Sequence, residues 1–214
     1  MIYAENVLIC IAIPLLLALV FIRGNARRYV GSFLSGMLIC LLSAYISGFL
    51  GQAMNMGDGT GIYLSPLVEE FMKFLPLMLW LYLFAGTEEE LFLVAVGVGT
   101  GFATFENCVY MLGDGAVDFA YMLIRGLAVG VMRCVSILIL TIGIVTVMRY
   151  KVSRLPGIFG SLSLAMVFHA LYNLIVSGGG KVSMIGYCLP ILTALILYKP
   201  YIVLRKHHTD ETEK

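Results

Sequence analysis

The sequence predicts an all-α membrane protein, a polytopic helix bundle, from its composition, its hydropathy and the length of its apolar runs. Of its 214 residues, 60% are hydrophobic and 13% are charged, whereas soluble domains average about 45–50% and about 25%. With a mean hydropathy of +0.96, the chain has more apolar surface than one water-soluble core could bury, so a bilayer must solvate part of it. This composition excludes a disordered protein, a soluble enzyme and a secreted disulfide scaffold. The formal net charge of +1 gives no reason to expect a nucleic-acid partner.

About seven apolar runs have the length needed to cross a hydrocarbon core about 30 Å thick. The first is interpreted as a retained transmembrane helix, because no Lys or Arg precedes it as in a signal peptide. The fifth is long enough to be tilted, kinked or extended past the membrane. Residues 1–214 are expected to form a single integral membrane domain, with motif-bearing helices within about 62–176 and a short cytoplasmic tail at 205–214. In chain order, the predicted spans are Val7–Ile22, Tyr29–Met54, Ile62–Phe84, Leu91–Leu112, Phe119–Met148, Gly157–Val176 and Val182–Val203.

The charges outside these spans, together with Lys199 near the end of the last one, predict the orientation of the chain. On one side of the membrane the loops and tail carry ten basic residues, and on the other side they carry Lys181 alone. The positive-inside rule therefore places the N-terminus outside and the C-terminus in the cytoplasm of a multi-pass cell-membrane protein. The ten basic residues are Arg23, Arg27, Arg28, Arg149, Lys151, Arg154, Lys199, Arg205, Lys206 and Lys214.

Six charged residues lie inside the predicted spans, where each costs between about 2.5 and 17 kcal/mol at the bilayer centre. Charges in such positions indicate a functional interior by default. Counting about 1.5 Å per residue, five polar side chains lie about 9–12 Å below the outer ends of successive spans, in one layer of the outer leaflet. Arg133 lies about 12 Å deeper than the arginine of that layer and is interpreted as a structural counter-ion. The layer contains Glu69, Glu70, Glu106, Arg125 and His169, and Lys73, Asn107 and Asn173 accompany it.

The chemistry of these residue types favours hydrolysis. Glu69 and Glu70 point about 100° apart on a helix, so one can face a cavity while the other meets a neighbouring helix, and Lys73 can neutralise either. A desolvated glutamate can act as the base that activates water, while His169, Asn173 or a metal can stabilise the developing oxyanion. A divalent metal such as zinc takes Glu and His ligands, but the HExxH spacing is absent, so the sequence leaves the metal open.

Three short motifs on successive spans resemble a known family. They are EExxK at Glu69–Lys73, FxxxEN at Phe102–Asn107 and HxxxN at His169–Asn173. In this order they resemble the PrsW family of intramembrane proteases, relatives of the CAAX prenyl endopeptidases. The resemblance implies a polytopic, glutamate-dependent peptidase, usually classed as a metalloprotease. Its implied substrate is a membrane-anchored protein such as an anti-sigma factor, cut first on the extracytoplasmic side.

The resemblance also implies roles for particular residues. Relatives carry an arginine in the fifth span and a histidine about two turns later; Arg125 matches the first, and Arg133 or Cys134 stands at the second. The last motif often ends in Asp where this chain has Asn173. The implied catalytic set is Glu69, Glu70, Glu106 and His169. Within this set, the candidate metal ligands are Glu70, Glu106 and His169. The supporting residues are Lys73, Asn107, Arg125 and Asn173.

Two other functions stay open at this point. Intramembrane Glu, His and Arg residues also form proton relays, so a proton- or cation-coupled transporter is one alternative, although no inverted repeat is visible. A non-catalytic membrane scaffold that keeps its ion pairs for packing is the other.

Overall fold

The computed structural model describes residues 3–84, 86–114, 119–150 and 154–212, and over that part of the chain all regular structure is helical. Seven α-helices follow one another, and a π-helical turn, Thr60–Leu64, leads directly into the third. The helices are α1 (Ala4–Phe21), α2 (Gly24–Ala53), α3 (Ser65–Phe84), α4 (Glu88–Asp114), α5 (Phe119–Tyr150), α6 (Arg154–Ser177) and α7 (Gly180–Thr212).

Each predicted span overlaps one α-helix, and the third also includes part of the π-helical turn. The all-α membrane bundle is thus confirmed. Six of the seven helices are long and apolar enough to cross a membrane. The seventh, α3, is 20 residues long but carries three charged side chains. Because α7 continues to Thr212, residues 205–212 of the predicted tail prolong the last helix. Lys151 and Lys214, two of the residues behind the predicted orientation, lie outside the described residues, and the orientation stays a prediction.

The charges of α3 lie on one face of that helix. Glu70, Lys73 and Leu77 recur at helical spacing and are buried, whereas Phe71 and Leu75 on the opposite face are exposed. The helix packs against α2, α4, α5 and α6. Its polar face is therefore turned into the bundle, where an intramembrane charge can find partners, and its aromatic and aliphatic face is left for lipid.

Close contact between α2 and α4 fixes the shape of the bundle beside α3. A Cβ atom at Gly101 of α4 would overlap the carbonyl group of Phe33, and one at Gly36 of α2 would overlap the carbonyl group of Val98. Small residues allow this approach of two backbones, as in many membrane helix pairs. The contact places the Ser43 face of α2 next to the part of α4 that follows Gly101.

Candidate active site

Six polar side chains from four helices meet inside the bundle, and we name them the ion network. Each carboxylate in it has at least one cationic or imidazole partner. This pairing is what burial of charge in a membrane requires. The ion network consists of Glu69, Glu70 and Lys73 of α3, Glu106 of α4, Arg133 of α5 and His169 of α6.

Arg133 is the hub of the ion network. Its Nε and Nη2 donate to Oε2 and Oε1 of Glu106, each at 2.6 Å, a bidentate pairing that suits the planar guanidinium. Its Nη1 forms an ion pair with Glu69 and contacts the Nε2 of His169. The guanidinium carbon also lies 5.2 Å from the ring centroid of Phe102, within cation–π range. The Arg133 side chain thus connects α5 to three other helices, α3, α4 and α6.

Glu70 occupies a separate, sealed part of the ion network. Its Oε1 accepts a hydrogen bond from Lys73 Nζ at 2.6 Å and lies 2.7 Å from His169 Nδ1. Lys73 Nζ also donates to Ser136 Oγ at 3.0 Å. Because a guanidinium can only donate, the imidazole nitrogen that faces Arg133 must accept, and the proton lies on Nδ1, directed at Glu70. Glu70 therefore fixes the orientation and tautomer of His169.

Exposure separates the three carboxylates. The side chains of Glu69 and Glu106 are 14% and 25% exposed, whereas that of Glu70 is 0% exposed. Glu69 and Glu106 line a cavity of about 350 Å³, together with residues of α2, the π-helical turn and α4. A water molecule in this cavity can therefore reach Glu69 or Glu106, and Glu70 lies behind them. The remaining lining residues are Cys40, Ser43, Ala44, Ser47, Gly48, Thr60, Gly61, Ser65 and Phe102.

The predicted supporting residues lie around the ion network. Arg125 donates to Asn107 Oδ1 at 3.2 Å, and its guanidinium carbon lies 3.2 Å from the ring centroid of Tyr110. Asn107 Nδ2 in turn donates to the carbonyl oxygen of Gly126 at 3.4 Å. These contacts join the C-terminal part of α4 to the N-terminal part of α5. Asn173, predicted to stand beside His169, donates instead to the carbonyl oxygen of Gly61 at 3.0 Å, which ties α6 to the π-helical turn.

The arginine of the site differs from the predicted one. The depth count assigned Arg125 to the carboxylate layer and treated Arg133 as a deeper counter-ion. The 32-residue α5 measures about 48 Å at 1.5 Å per residue, longer than the hydrocarbon core of about 30 Å. A depth counted from its first residue therefore places Arg125 too deep. The sequence signal for Arg133 is its position about two turns after Arg125, where the resemblance implied a histidine.

A family model for PrsW family intramembrane metalloproteases matches residues 25–203 of the chain. The match covers most of the chain and spans every residue of the ion network. The chain belongs to the PrsW family. It is therefore a membrane peptidase with multiple membrane-crossing helices, and its substrates are proteins within or beside the bilayer. No curated protein and no solved structure matches it.

The PrsW family description implies a metal ion, and the donor groups of this member can be tested against one. Within the part of the chain that the structure describes, no group of three or more His, Cys, Asp or Glu side chains could hold a metal ion. Glu106 is engaged on both oxygens by Arg133, and Glu70 Oε1 faces Lys73 and His169. Glu70 Oε2 is buried without a hydrogen-bond partner, but one free oxygen is not the three-ligand set of a catalytic zinc. As arranged, these donors do not fit a divalent metal.

Proposed function

We propose that this PrsW-family peptidase cleaves a membrane-anchored protein by glutamate-activated water, with Glu69 as the base and Arg133 as the positive charge that stabilises the oxyanion. The observation that carries the proposal is the difference in exposure between Glu69 and Glu70. Glu69 lines the cavity and Glu70 is sealed. The two adjacent carboxylates thus have different tasks, one toward water and the other toward His169.

The reaction needs one proton to move twice. Glu69 accepts a proton from a water molecule in the cavity, and the oxygen of that water attacks the carbonyl carbon of the scissile bond. Protonation removes the charge of Glu69, so its ion pair with Arg133 weakens and Nη1 becomes available to the developing oxyanion. When the tetrahedral intermediate collapses, the C–N bond breaks and Glu69 returns the proton to the leaving amine. The products are a carboxylic acid and an amine, and Glu69 is restored.

The other members of the ion network hold this arrangement in place. Glu106 anchors the guanidinium by two parallel hydrogen bonds, which limits the positions open to Nη1. His169, oriented by Glu70, contacts the same guanidinium from the opposite side. Lys73 neutralises Glu70, so the sealed carboxylate does not compete for Arg133. The low exposure of the whole set strengthens each charge interaction.

The proposed substrate is a single-span protein such as an anti-sigma factor, cut near its extracytoplasmic membrane boundary. Support for this side comes from the positive-inside rule and from the lining of the cavity. The cavity is lined by the π-helical turn before α3 and by the C-terminal half of α2, and both belong to the end of the bundle that is predicted to face outside.

The test uses purified protein in liposomes with a library of single-span model proteins whose outer juxtamembrane segment is randomised. Released fragments are identified by mass spectrometry. Glu69→Gln should reduce cleavage by about 10²-fold or more, the lower end of the contribution of a positioned base, because an amide cannot take up the proton. Glu89→Gln makes the same chemical change at the N-terminus of α4, the end of that helix remote from Glu106. This variant should retain cleavage. Cleavage by Glu69→Gln at the unmodified rate would show that another group activates the water.

A further inference from the structure

The cavity beside Glu69 adjoins a second cavity, and the two share lining residues. The first, about 350 Å³, and the second, about 660 Å³, both include Gly48 of α2 and Thr60 of the π-helical turn. Both volumes fall within the range of ligand-binding clefts, about 300–1,000 Å³. Together they form one groove, which runs from the C-terminal end of α2 to Glu69 and Glu106. We name it the α2 groove.

Small and hydroxyl-bearing residues form one wall of the α2 groove. Ser43, Ser47 and Gly51 recur every four residues on one face of α2, and Gly48 lies beside them. Thr60 lies on the opposite wall in close contact with α2, since a Cβ atom at Gly51 would overlap its side chain. The wall offers few side-chain atoms beyond Cβ, so chain that enters the groove can approach the backbone of α2.

One hydroxyl in this wall has no partner. Ser47 is 3% exposed and lines the groove, and among the residues that the structure describes its Oγ has no hydrogen-bond partner. Ser43, one turn earlier, donates instead to the carbonyl oxygen of Cys40 at 2.9 Å, the usual arrangement for a helical serine. A buried hydroxyl is normally hydrogen-bonded. The unpaired Ser47 Oγ therefore points to a ligand with a complementary polar group.

We propose that the α2 groove binds the substrate as an extended segment, with small side chains next to the scissile bond and a backbone group hydrogen-bonded to Ser47 Oγ. A helical segment satisfies its own backbone, but an extended one within the membrane needs partners from the protein. The hydroxyl groups of Ser47 and Thr60 can each donate or accept the hydrogen bonds that such a segment requires. The inference rests on the proposed peptidase mechanism, because the groove ends at Glu69.

Two variants of α2 test the groove without disturbing its packing. A Cβ atom at Gly48 meets nothing within 4 Å, so Gly48→Leu extends into the groove rather than into the protein. A Cβ atom at Gly31, on the same helix but outside the groove, also meets nothing within 4 Å, so Gly31→Leu is the matched control. Ser47→Ala removes the hydroxyl alone, and Ser47→Thr restores it.

The experiment uses a single-span model protein whose outer juxtamembrane segment consists of Ala, Gly and Ser and carries one diazirine. It is reconstituted with the unmodified chain or a variant in liposomes, and cross-links and cleavage are both measured. Cross-links should map to residues 40–51 and 57–61, and Gly48→Leu should reduce them about tenfold while Gly31→Leu leaves them within about twofold. Ser47→Ala should raise KM by about two- to tenfold, the value of one hydrogen bond, with kcat little changed and KM recovered in Ser47→Thr.

The outcomes separate the groove from the mechanism. Equal cross-linking by Gly48→Leu and the unmodified chain, or cross-links confined to other helices, would overturn the groove. Cross-links in the groove without cleavage by the unmodified chain would overturn the peptidase mechanism for this substrate and leave the groove standing. A second model protein, with Leu and Phe in place of Ala, Gly and Ser, should cross-link less. Equal labelling of the two model proteins would overturn the preference for small side chains.

Discussion

Replacing Arg133 with methionine should destabilise the protein by about 3–5 kcal/mol, the cost of removing one partner from a buried ion pair. The substitution removes both hydrogen bonds to Glu106 and the ion pair with Glu69. Two carboxylates would then lack a common counter-ion. Because their side chains are 14% and 25% exposed, water can offset part of the loss, and we expect the lower half of the range.

The prediction is measured as thermal unfolding of the detergent-solubilised protein. At about 2–4 °C per kcal/mol for chains of this size, a loss of about 3–4 kcal/mol in Arg133→Met should lower Tm by about 6–16 °C. Arg133→Lys keeps the charge but loses the planar pairing with Glu106. Its Tm should lie between those of the unmodified protein and Arg133→Met. Adding Glu106→Gln to Arg133→Met removes one orphaned carboxylate and should recover part of the loss, with a coupling of about 0.5–3 kcal/mol.

The exposed Arg27 provides the matched control. Arg27→Met removes the same charge from a loop-proximal position and should change stability by about 0.5 kcal/mol or less. If Arg133→Met melts within 2–3 °C of the unmodified protein, about 1 kcal/mol, then Arg133 does not neutralise the carboxylates. If the changes in unfolding free energy of Arg133→Met and Glu106→Gln are strictly additive in the double variant, the bidentate pairing is refuted.

Four further outcomes are expected. Lys73→Met leaves a fully buried glutamate without its cation and should cost at least about 3 kcal/mol, measured by the same thermal unfolding. Gly101→Ala should separate α2 from α4 and lower Tm, while Gly31→Ala, with open space around its Cβ, should not. Because Arg133 supplies the positive charge for the oxyanion in the proposed mechanism, a divalent-metal chelator should leave cleavage unchanged; loss of cleavage that zinc restores would contradict this. Cysteine placed at Asn55 should react with a membrane-impermeant thiol reagent from outside the cell, and cysteine placed at Glu89 should not.

Most of the fold followed from the sequence because a bilayer imposes length and polarity on each span. Apolar runs of about 20 residues leave few alternatives to helices that cross the membrane. The π-helical turn Thr60–Leu64 was not foreseen, since its residues carry no local signal that separates it from the start of α3. Its place depends on tertiary contacts such as the hydrogen bond from Asn173 to Gly61, which lie far apart in sequence.

The candidate site was predictable in membership but not in arrangement. Intramembrane charges are rare enough to single out Glu69, Glu70, Glu106 and His169, and the structure brings these four side chains together. Helical phase predicted that Glu69 and Glu70 diverge, but not which one faces the cavity. That depends on the packing of α2 against α4, and sequence spacing does not report it. Arg133 was interpreted as a counter-ion, in agreement with its ion pairs to Glu69 and Glu106. Its place beside these carboxylates was not predicted, because that place depends on how far α5 extends beyond its neighbours.

The charged face of α3 has a consequence for how the protein is made. Glu70 and Lys73 pair within the helix and can cross into lipid together, but the counter-ion of Glu69 is Arg133, which is 133 − 69 = 64 residues later in the chain. At about 5–20 residues per second, Arg133 is synthesised about 3–13 s after Glu69. During that interval Glu69 lacks the counter-ion that it has in the folded protein, so we expect α3 to be held less stably in the membrane until α5 is present. We therefore expect the pairing that forms the site also to couple the insertion of α3 to that of α5.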